Sequence, residues 1–251
     1  STPLYSSAAS DVYKRQPVYG GIGITQLELD LISTPVFQRL RGLKQVARLN
    51  FIFPSAEHSR YVHSIGVLYI MSLMTEQLEK QGMLDPEDVV KMRVAALLHD
   101  IGKIGIPDSI LNKPARLTDE EYKIMKSHVV KGGEILKNFT LIKNVEQGAL
   151  YHHERYDGSG YVHGLKGEEI PLNARIIGIA DAFDAMTANR VYRKKLDLDY
   201  VIGELKRGRG TQFDPKLTDI MLELIAKKQI NVDEIYADSK KTEADTDEKS
   251  I

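Results

Sequence analysis

Apolar residues recur at helical spacing along most of the chain, and few segments alternate between apolar and polar as a strand would. The apolar face formed by Val67, Ile70, Met71 and Met74 predicts a long helix from about 61 to 81. Helix-start signals of the capping-box or Pro-at-first-turn type precede most other apolar runs. These signals are Thr25-x-x-Glu28, Thr34-Pro35, Asp85-Pro86, Thr118-x-x-Glu121 and Asp214-Pro215. With further helices expected from about 140 to 153 and from about 173 to 188, the pattern predicts an all-α fold.

The two ends of the chain lack this spacing. Residues 1–16 are polar and aperiodic, and they resemble translated sequencing-adaptor read-through, so we expect a non-native or disordered leader. Residues 237–251 are charged and contain no large apolar side chain before the last position, which predicts a disordered tail. One helical domain is therefore expected over 17–236.

Composition narrows the classes of function. The 251 residues are 42% hydrophobic, enough for a buried core, and a net charge of −1 gives no bulk attraction for a nucleic-acid polymer or a membrane surface. The absence of cysteine excludes disulfides, zinc–thiolate sites and thiol nucleophiles, and it suits a reducing, cytoplasmic location. No apolar run reaches 18 residues and no signal peptide is visible, so we expect no membrane span in this chain.

The densest chemistry lies where a predicted apolar helix ends, in the stretch Leu97-Leu98-His99-Asp100-Ile101-Gly102-Lys103. The adjacent His99 and Asp100 can offer an imidazole and a carboxylate to one metal ion. Further polar groups occur on predicted helix faces among apolar residues, where an unpaired charge is costly. These groups are His63, His128, His152, His153 and Asp181.

Each of these residues also has an ordinary structural interpretation. A single core histidine is more often a hydrogen-bonded structural residue than a ligand, and we assign His58 and His163 to that class. The pair His152-His153 fits a solvated helix end as well as a metal site, and Asp181 fits a buried cap or an ion pair. The joint pattern of inward polar groups on different helices favours a metal centre.

Four segments resemble the HD superfamily of metal-dependent phosphohydrolases, and specifically its HD-GYP branch. They are HDIGKIGIPDSILNKPARLTDEEYKIMKSH, HHERYDGSGY, GLKGEEIPLNARIIGIADAFDAMTANRVYR and ELKRGRGTQFDP. The resemblance implies an HD-domain helical bundle that hydrolyses a cyclic dinucleotide, with cyclic di-GMP the first choice, through a hydroxide bridging two metals. A ligand set of His and Asp without sulfur favours Fe or Mn for these two divalent ions.

The resemblance also implies a metal-binding role for each matching residue. His63 matches the first metal-ligand histidine, Asp181 matches the closing ligand of the first metal, and His99 with Asp100 forms the signature pair. The second metal would be held by His128, His152 and His153. Asp100 would bridge the two ions. Lys103 matches the lysine that contacts the scissile phosphate, where its charge would offset the charge that develops in the reaction. Asp100 and Lys103 are therefore the predicted catalytic residues.

Substrate contacts follow from the same resemblance. Arg190 and Arg193 match positions that hold the phosphates or guanine of the substrate, which suits the bidentate fork of arginine. The signature loop supplies Asp157, Gly158, Gly160 and Tyr161.

Two positions depart from the pattern of the branch. Val162 stands where the signature has a proline that would stiffen the loop, which puts the loop geometry and any partner binding through it in question. Ser59 stands where some relatives carry a glutamate for a third metal, so two metals are predicted.

The N-terminal third resembles a different branch, the deoxynucleotide triphosphohydrolases of the same superfamily. The matching segments are TPVFQRLRGLKQVARL and FPSAEHSRYVHSIGV, in which Gln45 and Arg60 match nucleotide-contacting positions. Arg39, Arg41 and Lys44 fit a solvated helix face better than a binding site. That branch has a histidine at the position of Lys103 and lacks the HHE…DGSGY block.

Three functions stay open at this point. The leading one is a cyclic-dinucleotide phosphodiesterase, the first alternative is a dNTP or other nucleotide phosphohydrolase, and the second is an inactive cyclic-dinucleotide-binding module. The intact ligand set speaks against the inactive module. An upstream N-terminal sensor domain and a homo-oligomer are both compatible with the resemblance.

Overall fold

The computed structural model describes residues 12–16, 20–43, 59–113, 115–188 and 198–230. Within them, α-helices carry almost all of the regular structure, and the predicted all-α class is confirmed. The helices are α1 (Gln26–Ser33), α2 (Pro35–Gln38), α3 (Arg60–Lys80), α4 (Pro86–Leu98), α5 (Asp108–Leu111), α6 (Asp119–Lys126), α7 (His128–Lys137), α8 (Val145–Tyr151), α9 (Leu172–Ala188), α10 (Leu198–Gly208) and α11 (Pro215–Ala226). Short 3-10 turns cover Arg39–Gly42, Ile101–Gly105 and Gly167–Glu169.

The predicted start signals form the expected caps. The hydroxyl oxygens of Thr25 and Thr118 each accept a hydrogen bond from the backbone N–H of a glutamate three residues on. The carboxylate of that glutamate in turn accepts a hydrogen bond from the backbone N–H of the threonine. Asp85 and Asp214 cap helices whose first residue is proline. These local hydrogen bonds satisfy backbone groups that a helix end otherwise leaves unpaired, which is why the sequence marks them.

Several predicted helices are shorter than expected. The helix predicted to open at Thr34 gives way at Arg39 to a 3-10 turn, and 44–50 lie outside the described residues. The helical pattern that includes His128 is broken at Ser127, so that His128 is the first residue of α7 and not part of α6. The predicted helix from about 140 begins at Val145, after Asn144 in a left-handed conformation with φ 63°.

Two strands and the helices α5 and α10 were not predicted. Strands β1 (Val12–Gln16) and β2 (Gly20–Ile24) pair antiparallel, with Val12 opposite Ile24, so part of the predicted leader has a backbone partner. Helix α10 was also missed, although its C-terminal residues fall within one of the matching segments. The predicted tail, 237–251, lies outside the described residues.

The core forms around α3, which packs against α4 and α9, while α8 packs against α4, α7 and α9. Most of α3 is buried, including Ile65, Met71 and Met74. The fully buried carboxylate of Glu28 binds Arg93 of α4 through two hydrogen bonds of 2.7 and 2.8 Å, which fixes α1 against this core. The helices that carry the predicted ligands are thus the ones that pack directly on each other.

A glycine sets the distance between the turn after α4 and the start of α7. A Cβ at Gly102 would lie 1.9 Å from the carbonyl oxygen of His128 and 2.4 Å from the backbone nitrogen of Gly132. Only glycine permits this approach, because the neighbouring atoms belong to backbone and cannot move aside cheaply. The contact brings His128 next to Asp100.

Among the described helices, none combines the length and the apolar character that crossing a membrane requires.

Candidate metal centre

Seven polar side chains from five helices or helix ends converge inside the bundle. They come from α3, the end of α4, the start of α7, the end of α8 and the middle of α9. They are His63, His99, Asp100, His128, His152, His153 and Asp181. Within this set, three groups have ligand atoms that all lie within 4.8 Å of one another: His63 with His99 and Asp181, His128 with His152 and His153, and His99 with Asp100 and His152.

Asp100 lies between the first two groups. Its Oδ2 is 3.9 Å from His63 Nε2 and 3.7 Å from His99 Nε2. Its Oδ1 is 3.6 Å from His128 Nε2 and 3.8 Å from His152 Nε2. Each carboxylate oxygen therefore faces a different group of histidines, which is the arrangement a bridging carboxylate needs.

Backbone carbonyls orient three of the imidazoles. Because a carbonyl oxygen only accepts, the Nδ1 atoms of His99, His128 and His152 donate to Ala96, Met125 and Ala149 at 2.7, 2.7 and 2.9 Å. The proton is thereby fixed on Nδ1, and the lone pair of Nε2 points into the centre. These three Nε2 atoms and Asp100 Oδ1 are buried without a hydrogen-bond partner among the described residues. Buried lone pairs that converge without donors fit a bound cation.

Burial keeps these histidines neutral, as metal binding requires. It lowers the pKa of His128 to about 3, with help from the nearby charge of Lys103. It also lowers the pKa of His153 to about 4 and that of His152 well below its usual range. Neutral imidazoles at pH 7 offer their lone pairs without first losing a proton.

His63 is oriented by a carboxylate that the sequence analysis did not identify. Its Nδ1 lies 2.7 Å from Asp184 Oδ2, and its Nε2 lies 3.0 Å from Asp181 Oδ1. Burial would lower the pKa of His63, but the hydrogen bonds to Asp181 and Asp184 outweigh burial and raise the pKa to about 9. Asp184 follows Asp181 by three residues on α9, and this helical spacing of two carboxylates in an apolar run was the available signal.

Replacing Asp184 with asparagine is expected to weaken metal binding about ten- to hundredfold, because an amide orients the His63 ring less strongly and makes its Nε2 less basic. The measurement is metal occupancy in competition with a chelator of known affinity. The exposed Asp199 at the start of α10 provides the control, Asp199→Asn, which should bind metal as the unmodified protein does. Equal metal affinity in the two variants would show that Asp184 does not support metal binding.

Two cationic side chains face the central carboxylate. Lys103 Nζ makes a direct ion pair with Asp100 Oδ2, and Arg60 Nη1 lies 3.4 Å from the same oxygen. Burial would raise the pKa of Asp100, but the charges of Lys103 and Arg60 hold that pKa well below its usual range. Both cations are largely buried, at 9% and 8% exposed. Lys103 and Arg60 are therefore positioned where the two candidate groups of ligands meet.

The predicted residues of the signature loop differ in how close they lie to the centre. The ring of Tyr161 packs against that of His153, with centroids 5.0 Å apart and the ring planes tilted by 30°. A Cβ at Gly160 would lie 2.3 Å from the backbone nitrogen of Arg155. Asp157 is exposed and accepts hydrogen bonds from Ser159 instead. Tyr161 thus contacts the centre, Gly160 packs on the backbone that follows the paired histidines, and Asp157 supports the turn of the loop.

Glu154, which follows the paired histidines, was also missed as a functional residue. Its Oε1 accepts hydrogen bonds from the backbone N–H groups of His163 at 2.6 Å and Gly164 at 3.1 Å. Val162, the residue in place of the signature proline, is 44% exposed. The loop is therefore anchored by a buried carboxylate beside the centre and not by the side chain at position 162.

A cavity of about 380 Å³ opens beside the centre. His152, His153 and Asp181 form its inner end, and Tyr161, Tyr122 and Arg175 are among its other walls. Arg175 is held by Asp214 at 2.6 Å, so that α9 and the start of α11 frame one side of the cavity.

The remaining residues named in the sequence analysis lie outside the described residues or away from the ligand groups. Gln45, Arg190, Arg193, Lys44 and His58 lie outside the described residues. Arg39 and Arg41 are exposed, as expected for a solvated face, and Arg41 lies over the ring of Tyr61. Ser59 caps α3 by accepting a hydrogen bond from the backbone of Val62. His163 is exposed and its ring contacts Tyr151, so it is not the core histidine that was expected, and it belongs to none of the three groups of ligand atoms.

Comparison with known proteins points to the same class of fold. The sequence model of the HD domain family matches residues 44–217. A cyclic di-GMP phosphodiesterase response regulator, RpfG of Xanthomonas campestris, is 45% identical over 157 residues, 61% of this chain and 40% of its own. A cyclic di-GMP phosphodiesterase of Thermotoga maritima is 45% identical over 178 residues, 70% of this chain and 47% of its own. This chain thus spans less than half the length of either relative.

A solved structure has the same fold. The cyclic GMP-AMP specific phosphodiesterase V-cGAP3 of V. cholerae superposes with a TM-score of 0.53 at 20% identity, covering 72% of this chain and 47% of its own. The chain therefore belongs to the HD domain family, and the predicted resemblance to its HD-GYP branch is confirmed.

Proposed function

We propose that this chain is a metal-dependent phosphodiesterase that hydrolyses a cyclic dinucleotide, with cyclic di-GMP the first choice of substrate. One observation carries the proposal: Asp100 lies between two groups of metal-competent side chains, with Lys103 paired to it. The names of the two 45% identical relatives supply the class of substrate. Because the chain spans less than half of either relative, their activity is a proposal for this chain.

We propose two divalent ions, Fe or Mn, held as the sequence analysis predicted. Two such ions, when bound, would neutralise phosphate oxygens and lower the pKa of a water molecule that attacks phosphorus. The chain's own residues do the remaining work. His63, His99 and Asp181 form one half of the ligand set, His128, His152 and His153 form the other, and Asp100 joins the halves.

Lys103 would stabilise the negative charge that develops on the phosphate oxygens. Its ammonium group is largely buried, where an electrostatic interaction is stronger than in water. Burial, together with the charge of Arg60, also lowers the pKa of Lys103. Arg60, on the same side of Asp100, can bind a non-bridging phosphate oxygen through its guanidinium. The cavity beside His153 and Asp181 would take the nucleotide portion of the substrate.

A substrate panel tests this proposal. The purified protein, loaded with Mn²⁺ or Fe²⁺, is offered cyclic di-GMP, cyclic GMP-AMP and dGTP, and the products are separated by chromatography. We expect a linear dinucleotide or mononucleotides from cyclic di-GMP, with turnover abolished by a chelator and restored by the metal. Release of tripolyphosphate from dGTP without turnover of either cyclic dinucleotide would overturn the proposal.

A dNTP phosphohydrolase is the second candidate. Arg60, which matches a nucleotide-contacting position of that branch, is buried against Asp100. The same panel separates the two candidates, since only this one predicts tripolyphosphate. Tight binding of cyclic di-GMP without turnover would instead indicate an inactive binding module. The cytoplasmic location, an upstream sensor domain and a homo-oligomer stay predictions.

A further inference from the structure

We propose that Tyr122 is the stacking surface for a purine base of the substrate, at the rim of the cavity beside the metal centre. This inference rests on the proposed function and extends it, because it assigns a base-binding residue on α6, outside the ligand set and the signature loop. No role was assigned to Tyr122 from the sequence.

The first observation is the position of the ring. Tyr122 lines the cavity and is nevertheless 49% exposed, so a large aromatic face is available to a molecule that enters. Nucleobases stack on exposed aromatic rings of this kind because each base has a flat π face. The half-exposed ring contributes little to the core, so its removal is expected to leave the thermal unfolding midpoint unchanged.

The second observation is a cation shared by two rings. Lys126, one helical turn after Tyr122, has its Nζ 4.9 Å from the centre of the Tyr122 ring and 5.5 Å from the centre of the Tyr161 ring. Both distances are within the range of a cation–π interaction. The ammonium is therefore held at the rim, where it can donate to an N7 or O6 acceptor on the edge of a stacked guanine or to N7 of adenine.

The third observation connects this rim to the metal centre. The ring of Tyr161 packs against that of His153, a predicted ligand, and it also contacts Lys126 beside Tyr122. A continuous line of side chains thus runs from the centre outward: His153, Tyr161, Lys126 and Tyr122. A substrate with its phosphate at the centre and a base further out fits this order of groups, since phosphates suit the metal end and bases suit the aromatic end.

Kinetics of Tyr122 variants test the assignment with cyclic di-GMP as the probe. Tyr122→Ala should raise KM about five- to a hundredfold, the usual effect of losing one base–aromatic stack, with little change in kcat. Tyr122→Phe should restore the original KM, because the ring and not the hydroxyl is used. The matched control is Tyr200→Ala, which removes a 47% exposed tyrosine that also lies near a cation, Arg207, but does not line the cavity.

A binding measurement without turnover makes the test independent of kinetics. The chain contains no tryptophan, so Tyr122→Trp places a single indole at the proposed site. Its fluorescence should be quenched saturably when cyclic di-GMP is mixed with the metal-loaded protein, within the time before appreciable hydrolysis. The corresponding Tyr200→Trp variant should show no change.

The outcomes separate this inference from the function on which it rests. Normal turnover with an unchanged KM in Tyr122→Ala, or no quenching in Tyr122→Trp, would overturn the role of Tyr122 and leave the proposed function standing. A failure of the unmodified protein to bind or hydrolyse any cyclic dinucleotide would overturn both. A fall in kcat together with metal loss in Tyr122→Ala would also overturn it, because that result indicates a disturbed metal centre.

Discussion

Asp100→Asn is expected to lose most of its bound metal and to lower cyclic-dinucleotide turnover at least about a thousandfold. Each oxygen of Asp100 faces a different group of histidines, so that an amide, neutral and with one oxygen, leaves one group without its shared ligand. Metal chemistry contributes several kcal/mol to such reactions, and each 1.36 kcal/mol corresponds to a factor of ten in rate. Metal content by mass spectrometry and turnover by chromatography measure the two losses.

Asparagine is preferred to alanine at this position for a structural reason. Asp100 is buried and is the partner of both Lys103 and Arg60. Both substitutions remove its charge, but asparagine keeps the shape of the side chain and one oxygen that can accept a hydrogen bond from these cations, whereas alanine would leave a cavity and two buried donors without an acceptor. The exposed Asp219, whose ion pair with Arg209 lies on the surface, provides the matched control, Asp219→Asn. Full activity and two metals per chain in Asp100→Asn would refute the binuclear centre.

Lys103→Met is expected to retain the metal and to lower kcat about a hundred- to a thousandfold, the usual effect of removing one group that stabilises developing charge. Methionine keeps the length of the apolar stem in a position that is 9% exposed, so the loss is confined to the ammonium group. Asp100 keeps Arg60 as a counter-charge in this variant. KM should change little, because the interaction is strongest in the transition state.

The control for this variant is another lysine that pairs with a carboxylate. Lys113 Nζ lies 2.5 Å from Glu121 Oε2 near the start of α6, and neither residue belongs to the ligand groups or lines the cavity, so Lys113→Met should keep normal kcat. Two results would contradict the role of Lys103. Loss of metal in Lys103→Met would show that the lysine is a structural partner of Asp100, and an unchanged kcat would show that it has no catalytic role.

The sequence was most informative where an effect is local. Helix caps such as Thr25 with Glu28 depend on hydrogen bonds across three residues, and their spacing can be read directly. The ligand set could be proposed because matching residues recur in order along the chain, and the structure places them together. By contrast, the break at Ser127 that begins α7 at His128 has no clear local signal, since α6 and α7 continue the same apolar periodicity.

The features that the sequence missed depend on contacts that no regular spacing along the chain marks. Asp184 is important because α9 packs on α3 and brings it to His63, 121 positions away. Glu154 acts on backbone groups nine and ten residues later, which no helical or strand period connects. The strand pair escaped prediction because its strands are short and β2 contains three glycines, so that neither has the alternation that marks a strand.

The anchoring of the signature loop by Glu154 has a consequence for how this protein can change during evolution. The two backbone N–H groups that Glu154 holds, and the close approach at Gly160, fix the loop from its inner side. The side chain at position 162 is on the outer side, exposed to solvent. Substitutions at position 162 can therefore change the surface that a binding partner contacts without changing the metal centre. Selection on that surface is separate from selection on the metal centre.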